Sequence, residues 1–407
     1  MALESNTVRL PSDLGSWVLF PGNIKHDPVY LVGSQQIDKY LTVPAERHSL
    51  VLRIFAQLQQ GATPAEVEVA LRVEGLEVNV DEFCRMLAQK RLLEWESAAS
   101  DVSEPAKATF FGQLRALSWQ VFSLNLEKLH PILAKLATPL TILLGLFVIL
   151  STGGVLAQGW ISTTALRTTA RQVLENRGLL WMALFNLFLI PIFVFLHEAA
   201  HTVVAALGGV YPRRLSLRLY LLVMPYFSLQ LPGLYTLPLS NRFLTMAAGP
   251  LMDLALGNLC LLTARAIGGE GMAWLALIAL NNYGRFLFNI LPIMPMTDGY
   301  ALLSQAVFRE IDIRGHATQE FRRWRQKQAN TFKGKYVAFY LLNLGIGIFI
   351  IVGGLVQVNM LLLGWLRKTT LLPVGPSAWL IYPAPVSYTH LRAHETVLDL
   401  VCRLLLE

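Results

Sequence analysis

Two histidines and a glutamate fall within five consecutive residues, His197-Glu198-Ala199-Ala200-His201. On an α-helix, residues four apart share a face, so the two imidazoles can meet one ion. Imidazole suits zinc, and a catalytic zinc takes three protein ligands and leaves a fourth position for water. Glu198 follows the first ligand directly and can take the proton from that water as it attacks a carbonyl. The spacing therefore predicts Zn2+-assisted hydrolysis of a peptide bond. The motif closes the apolar run FNLFLIPIFVFL, where ionisable side chains are costly unless they are partnered.

A third ligand must come from another element at the same depth, and Asp298 is the candidate. It lies in FNILPIMPMTDGYALL, where two prolines interrupt regular helix; loosened backbone inside a bilayer is tolerated where it lines a protein-walled cavity. The alternative role for Asp298 is a simple helix N-cap. Arg285 falls within the preceding apolar stretch together with Asn281 and Asn282. A buried arginine there needs a partner, and Asp253 is the candidate, as a structural ion pair or beside a substrate contact.

The elements that must bring these residues together are read from hydropathy. Hydrophobic residues make up 54% of the 407 and charged residues 15%, where a soluble domain is near a quarter charged. The excess is concentrated beyond residue 137, in about five blocks near the 20 residues needed to cross hydrocarbon: 137–157, 178–204, 243–265, 272–296 and 336–356. The fold class expected is mainly α, a polytopic helical membrane protein with a small N-terminal α+β winged-helix-like domain. Basic residues orient it: Lys107, Arg115, Lys128 and Lys135 before the first span, Arg213, Arg214, Arg218 and Arg242 after the second, and Arg309 to Lys335 after the fourth. The positive-inside rule puts these flanks and the N-terminal domain in the cytoplasm, against the three arginines Arg167, Arg171 and Arg177 of the first outer loop. Spans two and four then both end inside, which brings Asp298 level with His197 and His201 without reference to the motif. The expected location is the cell membrane, multi-pass. The net charge of +7 belongs to these membrane flanks, so nucleic acid is not an expected partner and the lipid bilayer is. Cys84, Cys260 and Cys402 match no metal or redox spacing.

Residues 1–95 have soluble composition and no secretory signal. Within them PVYLVG and DKYLTV alternate as two strands around Ser34-Gln35-Gln36. A helix follows from Pro44 to Gln60, with Leu50, Ile54, Phe55 and Leu58 on one face. Thr63-Pro64-Ala65-Glu66 reads as a capping box with proline at the first helical position, and Asn79 with Glu82 repeats the signal before a last helix. Residues 96–135 read as a polar linker followed by an interfacial amphipathic helix over Thr109–Leu133. Residues 136–366 form the membrane domain, and 367–407 a tail. From Val386 the tail, VSYTHLRAHETVLDLVCRLLLE, resembles translated adapter read-through, so the natural chain is expected to depart near Pro385.

HEAAH in one span, AAGPLMDLALG in the next and N-x-x-P…DG in the one after resemble the site-2 protease family of intramembrane metalloproteases, over residues 180 to 305. The stretch from Tyr211 to Pro250 is similar to the branch of peptide zinc metalloproteases, and Val29 to Glu94 resembles the PqqD-like domains that bind leader peptides. The resemblance implies zinc on His197, His201 and Asp298, Glu198 as the base, and Asn289 fixing substrate backbone or the broken helix. Two positions depart from it. Five residues separate Pro292 from Asp298 where four are expected, and Asp253 stands where many members have Asn, which places a carboxyl where it can bond a histidine. The PqqD-like resemblance implies a peptide added as a strand to the sheet edge.

The activity expected is a zinc endopeptidase acting on a peptide or membrane-protein substrate near the cytoplasmic face, in company with a peptide-export or peptide-modification system. A non-enzymatic membrane component handling such a peptide is the alternative, and a peptide-binding adaptor tethered by its spans is a third.

Overall fold

A computed structural model of the chain describes residues 8–24, 26–89, 91–94, 118–158, 188–220, 224–267, 269–292, 297–311, 313–326 and 333–346. The expected tail, the first outer loop and the linker up to residue 117 lie outside them.

The N-terminal part opens with β1 (Leu14–Phe20), β2 (Val29–Ser34) and β3 (Lys39–Pro44). They form one antiparallel sheet in the order β1-β2-β3, with β2 in the centre. The β2–β3 hairpin is the expected one, with Tyr30 opposite Val43 and Val32 opposite Leu41. Strand β1 is an addition: LGSWVLF lacks a clear polar–apolar alternation because both of its faces are covered at its far end. α1 (Ala45–Gln59) buries Val51, Ile54, Phe55 and Leu58; Val51, rather than Leu50, completes that stripe. α2 (Pro64–Val73) carries the reciprocal capping box, with Thr63 Oγ1 accepting from Glu66 N and Thr63 N donating to the Glu66 carboxylate at 2.8 Å. Asn79 Oδ1 accepts from Glu82 N at 2.9 Å ahead of α3 (Val80–Gln89).

The sheet is buried on both faces, and its period of two divides the side chains between two cores. Val32, Leu41 and Val43 pack on α1, α2 and α3. Leu31 and Tyr40, one residue out of phase, pack with Leu19 and Phe20 against Val194, Ala205, Leu215, Leu237, Met246 and Ile311 from the rest of the chain. The domain is thus packed onto its neighbour rather than tethered beside it.

The expected amphipathic helix ahead of the first span is corrected. Residues Ser118–Asn125 form strand β4. Tryptophan, valine and phenylalanine suit a pleated strand, and the chain finds a partner far along the sequence. After β4, α4 (His130–Gln158) and α5 (Phe188–Leu207) are apolar helices. Next come β5 (Arg214–Tyr220) and β6 (Met224–Gln230), which join β4 in a second antiparallel sheet, order β4-β5-β6. Asn125 pairs with Arg214 and Trp119 with Leu219, with a bulge between Gln120 and Phe122.

α6 (Leu239–Ile267) and α7 (Gly269–Ile290) pack antiparallel, with Leu261 against Ala276 and Ala279 in one cluster. Proline acts as expected: α7 stops at Ile290, just ahead of Pro292, and the chain resumes helix at α8 (Asp298–Leu303). A five-residue π-helical turn, Ser304–Phe308, continues α8. α9 (Arg314–Arg325) and α10 (residues 334–346) complete the described chain.

Among the described residues, three helices are long and apolar enough to cross a membrane: Glu127–Gln158, Phe188–Leu207 and Leu239–Ile267. The expectation of about five is therefore met only in part. The fourth block is the helix α7, but its inward positions carry Asn282, Arg285 and Asn289, all buried. Those polar side chains lower its hydropathy without exposing it. Of the fifth block, only residues 336–346 are among those described.

Candidate metal centre

The three expected ligands converge. His197 and His201 lie one turn apart on α5, and their Nε2 atoms are 3.1 Å from one another. Asp298 approaches from the start of α8, with Oδ2 3.3 Å from His197 Nε2 and Oδ1 3.5 Å from His201 Nε2. One ligand atom from each of the three lies within 4.8 Å of the others, and all three residues are buried. Glu198, on the same turn of α5, is 1% exposed. The helix N-cap that Asp298 was weighed against is Thr297, whose hydroxyl oxygen accepts from Tyr300 N. With capping done by its neighbour, the Asp298 carboxylate is left to face the imidazoles.

The back of each imidazole is held by α6. His197 Nδ1 is 2.8 Å from Asp253 Oδ2, and His201 Nδ1 is 2.6 Å from the carbonyl oxygen of Thr245. Each acceptor fixes the proton on Nδ1 and turns the unprotonated Nε2 toward the common point. Thr245, Gly249 and Asp253 are spaced by four, on one stripe of α6. Gly249, between the two acceptors, is where the imidazoles cross the helix. A Cβ built there falls inside 3.0 Å of Nε2 of both histidines and 2.6 Å from His197 Cε1.

Asp253 is in turn held by α7. Arg285 Nη2 lies 2.8 Å from Asp253 Oδ1, with both side chains fully buried, and Asn289 Nδ2 donates to Asp253 Oδ2 at 3.4 Å. The expected partnership of Arg285 with Asp253 is formed. Asn289 is joined to the site through Asp253, and among the described residues its Oδ1 has no hydrogen-bond partner. Gly299 sits where α8 crosses the end of α7. A Cβ there falls inside 3.0 Å of the Ile290 carbonyl and 3.0 Å from Asn289 O.

The residues present fit a divalent transition metal. Two imidazole nitrogens and one carboxylate, already stripped of water and oriented from behind, are the donor set of an open zinc-type site. Asp298 Oδ2 has no hydrogen-bond partner among the described residues, as a carboxylate waiting for a cation would. Two imidazole Nε2 atoms at 3.1 Å, both lone-pair-bearing, repel unless something positive lies between them.

The backbone carbonyl of Thr245 and the glycines at 249 and 299 were not singled out from sequence. A carbonyl carries no side-chain signal. Gly249 lies four residues before Asp253 in the AAGP stretch, and that spacing is the clue that could have found it. His390 and His394, which also have ligand spacing, lie outside the described residues. The chain matches no protein-family model, no curated protein and no solved structure.

Proposed function

We propose that the chain is a membrane-embedded zinc endopeptidase that hydrolyses peptide bonds of a peptide or membrane-anchored protein near the cytoplasmic face. The observation that carries the reading is the convergence of His197, His201 and Asp298 on one point, with Glu198 on the same turn of α5. A divalent ion held there supplies Lewis-acid chemistry, polarising a water and the scissile carbonyl. Glu198 takes the proton of the attacking water; the new C–O bond forms, the C–N bond breaks, and the proton passes to the leaving nitrogen. Asp253, Arg285 and Asn289 keep the His197 ring in register while this happens.

The three apolar helices support a multi-pass placement, and the basic residues of α9 and the neighbouring turns support a cytoplasmic position for them. In this reading the N-terminal domain captures a peptide as an added strand, in the manner of the PqqD-like domains it resembles. Since β2 is central, the strand would add at an outer edge, β1 or β3; the Tyr30–His48 stack, whose rings lie 3.8 Å apart, is joined to β1 by Ser16 Oγ, 2.7 Å from His48 Nε2.

The test is cleavage of a fluorescein-labelled unfolded protein by the purified full chain. A chelator should stop it, zinc should restore it, and Glu198→Gln should keep the zinc but lose a factor of about 10² or more. Cleavage that survives zinc removal, or full turnover in Glu198→Gln, refutes the assignment.

A further inference from the structure

A single stretch of the N-terminal domain touches both elements that hold the metal centre in shape. Arg242, on the first turn of α6, donates Nη2 to the carbonyl of Leu19 at the end of β1. Arg309, which ends the π-helical turn continuing α8, donates Nη2 to the carbonyl of Pro21 at 2.6 Å and lies 3.5 Å from that of Asp27. Between these two carbonyls stands Phe20, and both guanidinium groups lie over its ring, at 5.4 and 5.7 Å from the centroid. The two arginines thus grip one three-residue segment from two different helices.

Those helices are the ones that set the ligand geometry. Arg242 is three residues, nearly one turn, ahead of Thr245, whose carbonyl holds His201 Nδ1. Arg309 is joined through the Ser304–Phe308 turn to α8, which begins at Asp298. Gln305 adds a link between them, its amide 3.2 Å from the sulfur of Met246 on α6. Arg242 is fully buried, and its Nε and Nη1 have no hydrogen-bond partner among the described residues. Burying a guanidinium on so few partners is costly, and the docked β1 is what supplies the carbonyl and the aromatic face that offset it. Nearby, Gly233 N donates to Asp38 Oδ1 at 3.2 Å and Gln35 Nε2 to Thr236 Oγ1 at 2.7 Å, so the hairpin tip holds the loop leading into α6 as well.

We propose that Phe20, Arg242 and Arg309 are positioning residues for the metal centre: docking of β1 on the two arginines sets the separation between α6, which orients His201, and α8, which carries Asp298. The N-terminal domain is then part of the machinery that keeps the site at ligand distance, in addition to any peptide it captures. Displacing β1 loosens the grip of His201 and Asp298 on one ion. The inference rests on the metal-centre reading.

The experiment is a chelator-competition measurement of zinc affinity on the full-length chain in detergent. Arg309 is only partly buried, so Arg309→Ala leaves the cores intact, and it should weaken zinc by about tenfold, the lower end of what groups behind metal ligands contribute. Arg309→Lys, which keeps a donor for the Pro21 carbonyl, should recover much of that loss. Phe20→Leu should weaken zinc in the same direction, while Arg53→Ala, which removes an exposed ion pair with Glu74 elsewhere in the domain, should leave it unchanged. Wild-type zinc affinity in folded Arg309→Ala and Phe20→Leu overturns the bracket alone. Absence of zinc from the unaltered chain overturns the metal reading, and the bracket with it.

Discussion

Asp253 Oδ2 lies 2.8 Å from His197 Nδ1, on the opposite side of the ring from the nitrogen that faces His201 and Asp298. The carboxylate is itself 2.8 Å from the Arg285 guanidinium, and neither side chain reaches solvent. A buried pair of this kind adds little net stability relative to apolar groups, yet removing one partner strands the other at a cost of about 3–5 kcal/mol. Asp253→Ala is therefore expected to lower the melting temperature and to weaken zinc by about 10–100-fold. The double variant Asp253→Leu with Arg285→Met removes both charges, so stability should return while zinc affinity does not. Thermal unfolding and metal titration on the three proteins read the two effects separately. Zinc affinity restored in the double variant would show that the carboxylate does not orient His197.

Gly249 is where α6 leaves room for both imidazoles. Its replacement by Ala puts a methyl group inside 3.0 Å of each Nε2, closer than a side chain can sit without moving the histidines or the helix. Alanine favours helix over glycine by about 1 kcal/mol, so the helix itself is not weakened. The expected outcome is loss of bound zinc from a protein that stays folded, read by metal analysis beside circular dichroism. Stoichiometric zinc in Gly249→Ala would mean that the ion lies away from the α6 face of the histidine pair.

The site was more legible than the scaffold around it. His197, Glu198 and His201 announce themselves by spacing, Asp298 by its depth at the inner end of the fourth block, and Arg285 by the cost of placing charge in apolar sequence, with Asp253 as its candidate partner. Their pairing followed from the need for partners. The strands were harder to read. Ser118–Asn125 carries aromatic and apolar residues that suit an interfacial helix as well as a strand, and what decides is Arg214–Tyr220, a partner far along the chain. The fourth block, α7, is less apolar than the other three because it carries Asn282, Arg285 and Asn289, all of them buried rather than turned to solvent. The glycines at 249 and 299 matter through what they leave out, and composition is silent on that.

The proposed topology has its own test. A reporter fused after Lys335 should read cytoplasmic and one fused at Gly269 should read external, because the basic residues from Arg309 to Lys335 favour the inner side. Among the described residues three helices meet the length and apolarity needed to cross, and α7 is not one of them, so α7 is the element at risk. Reporters on the same side would mean that α7 does not cross, and that Asp298 reaches the histidines from within a re-entrant segment.

The start of α8 separates capping from metal holding in two adjacent positions. Thr297 caps the helix through its hydroxyl and also donates to the Leu291 carbonyl at 2.9 Å. Thr297→Ala removes the cap, which is worth about 1 kcal/mol, while leaving the path of the backbone open to Asp298. Gly299 is different, since a Cβ there falls inside 3.0 Å of the Ile290 carbonyl at the end of α7. Backbone cannot yield as a flexible side chain does, so Gly299→Ala must push α8 away from α7 and carry the Asp298 carboxylate with it. Thr297→Ala is expected to lose a few degrees of thermal stability and to keep its zinc within a few-fold. Gly299→Ala is expected to lose most of its zinc, to an extent near that of Asp298→Ala. Metal analysis of the three purified variants distinguishes them, and equal zinc content in Gly299→Ala and the unaltered chain would mean that the third ligand does not depend on how α8 is seated against α7.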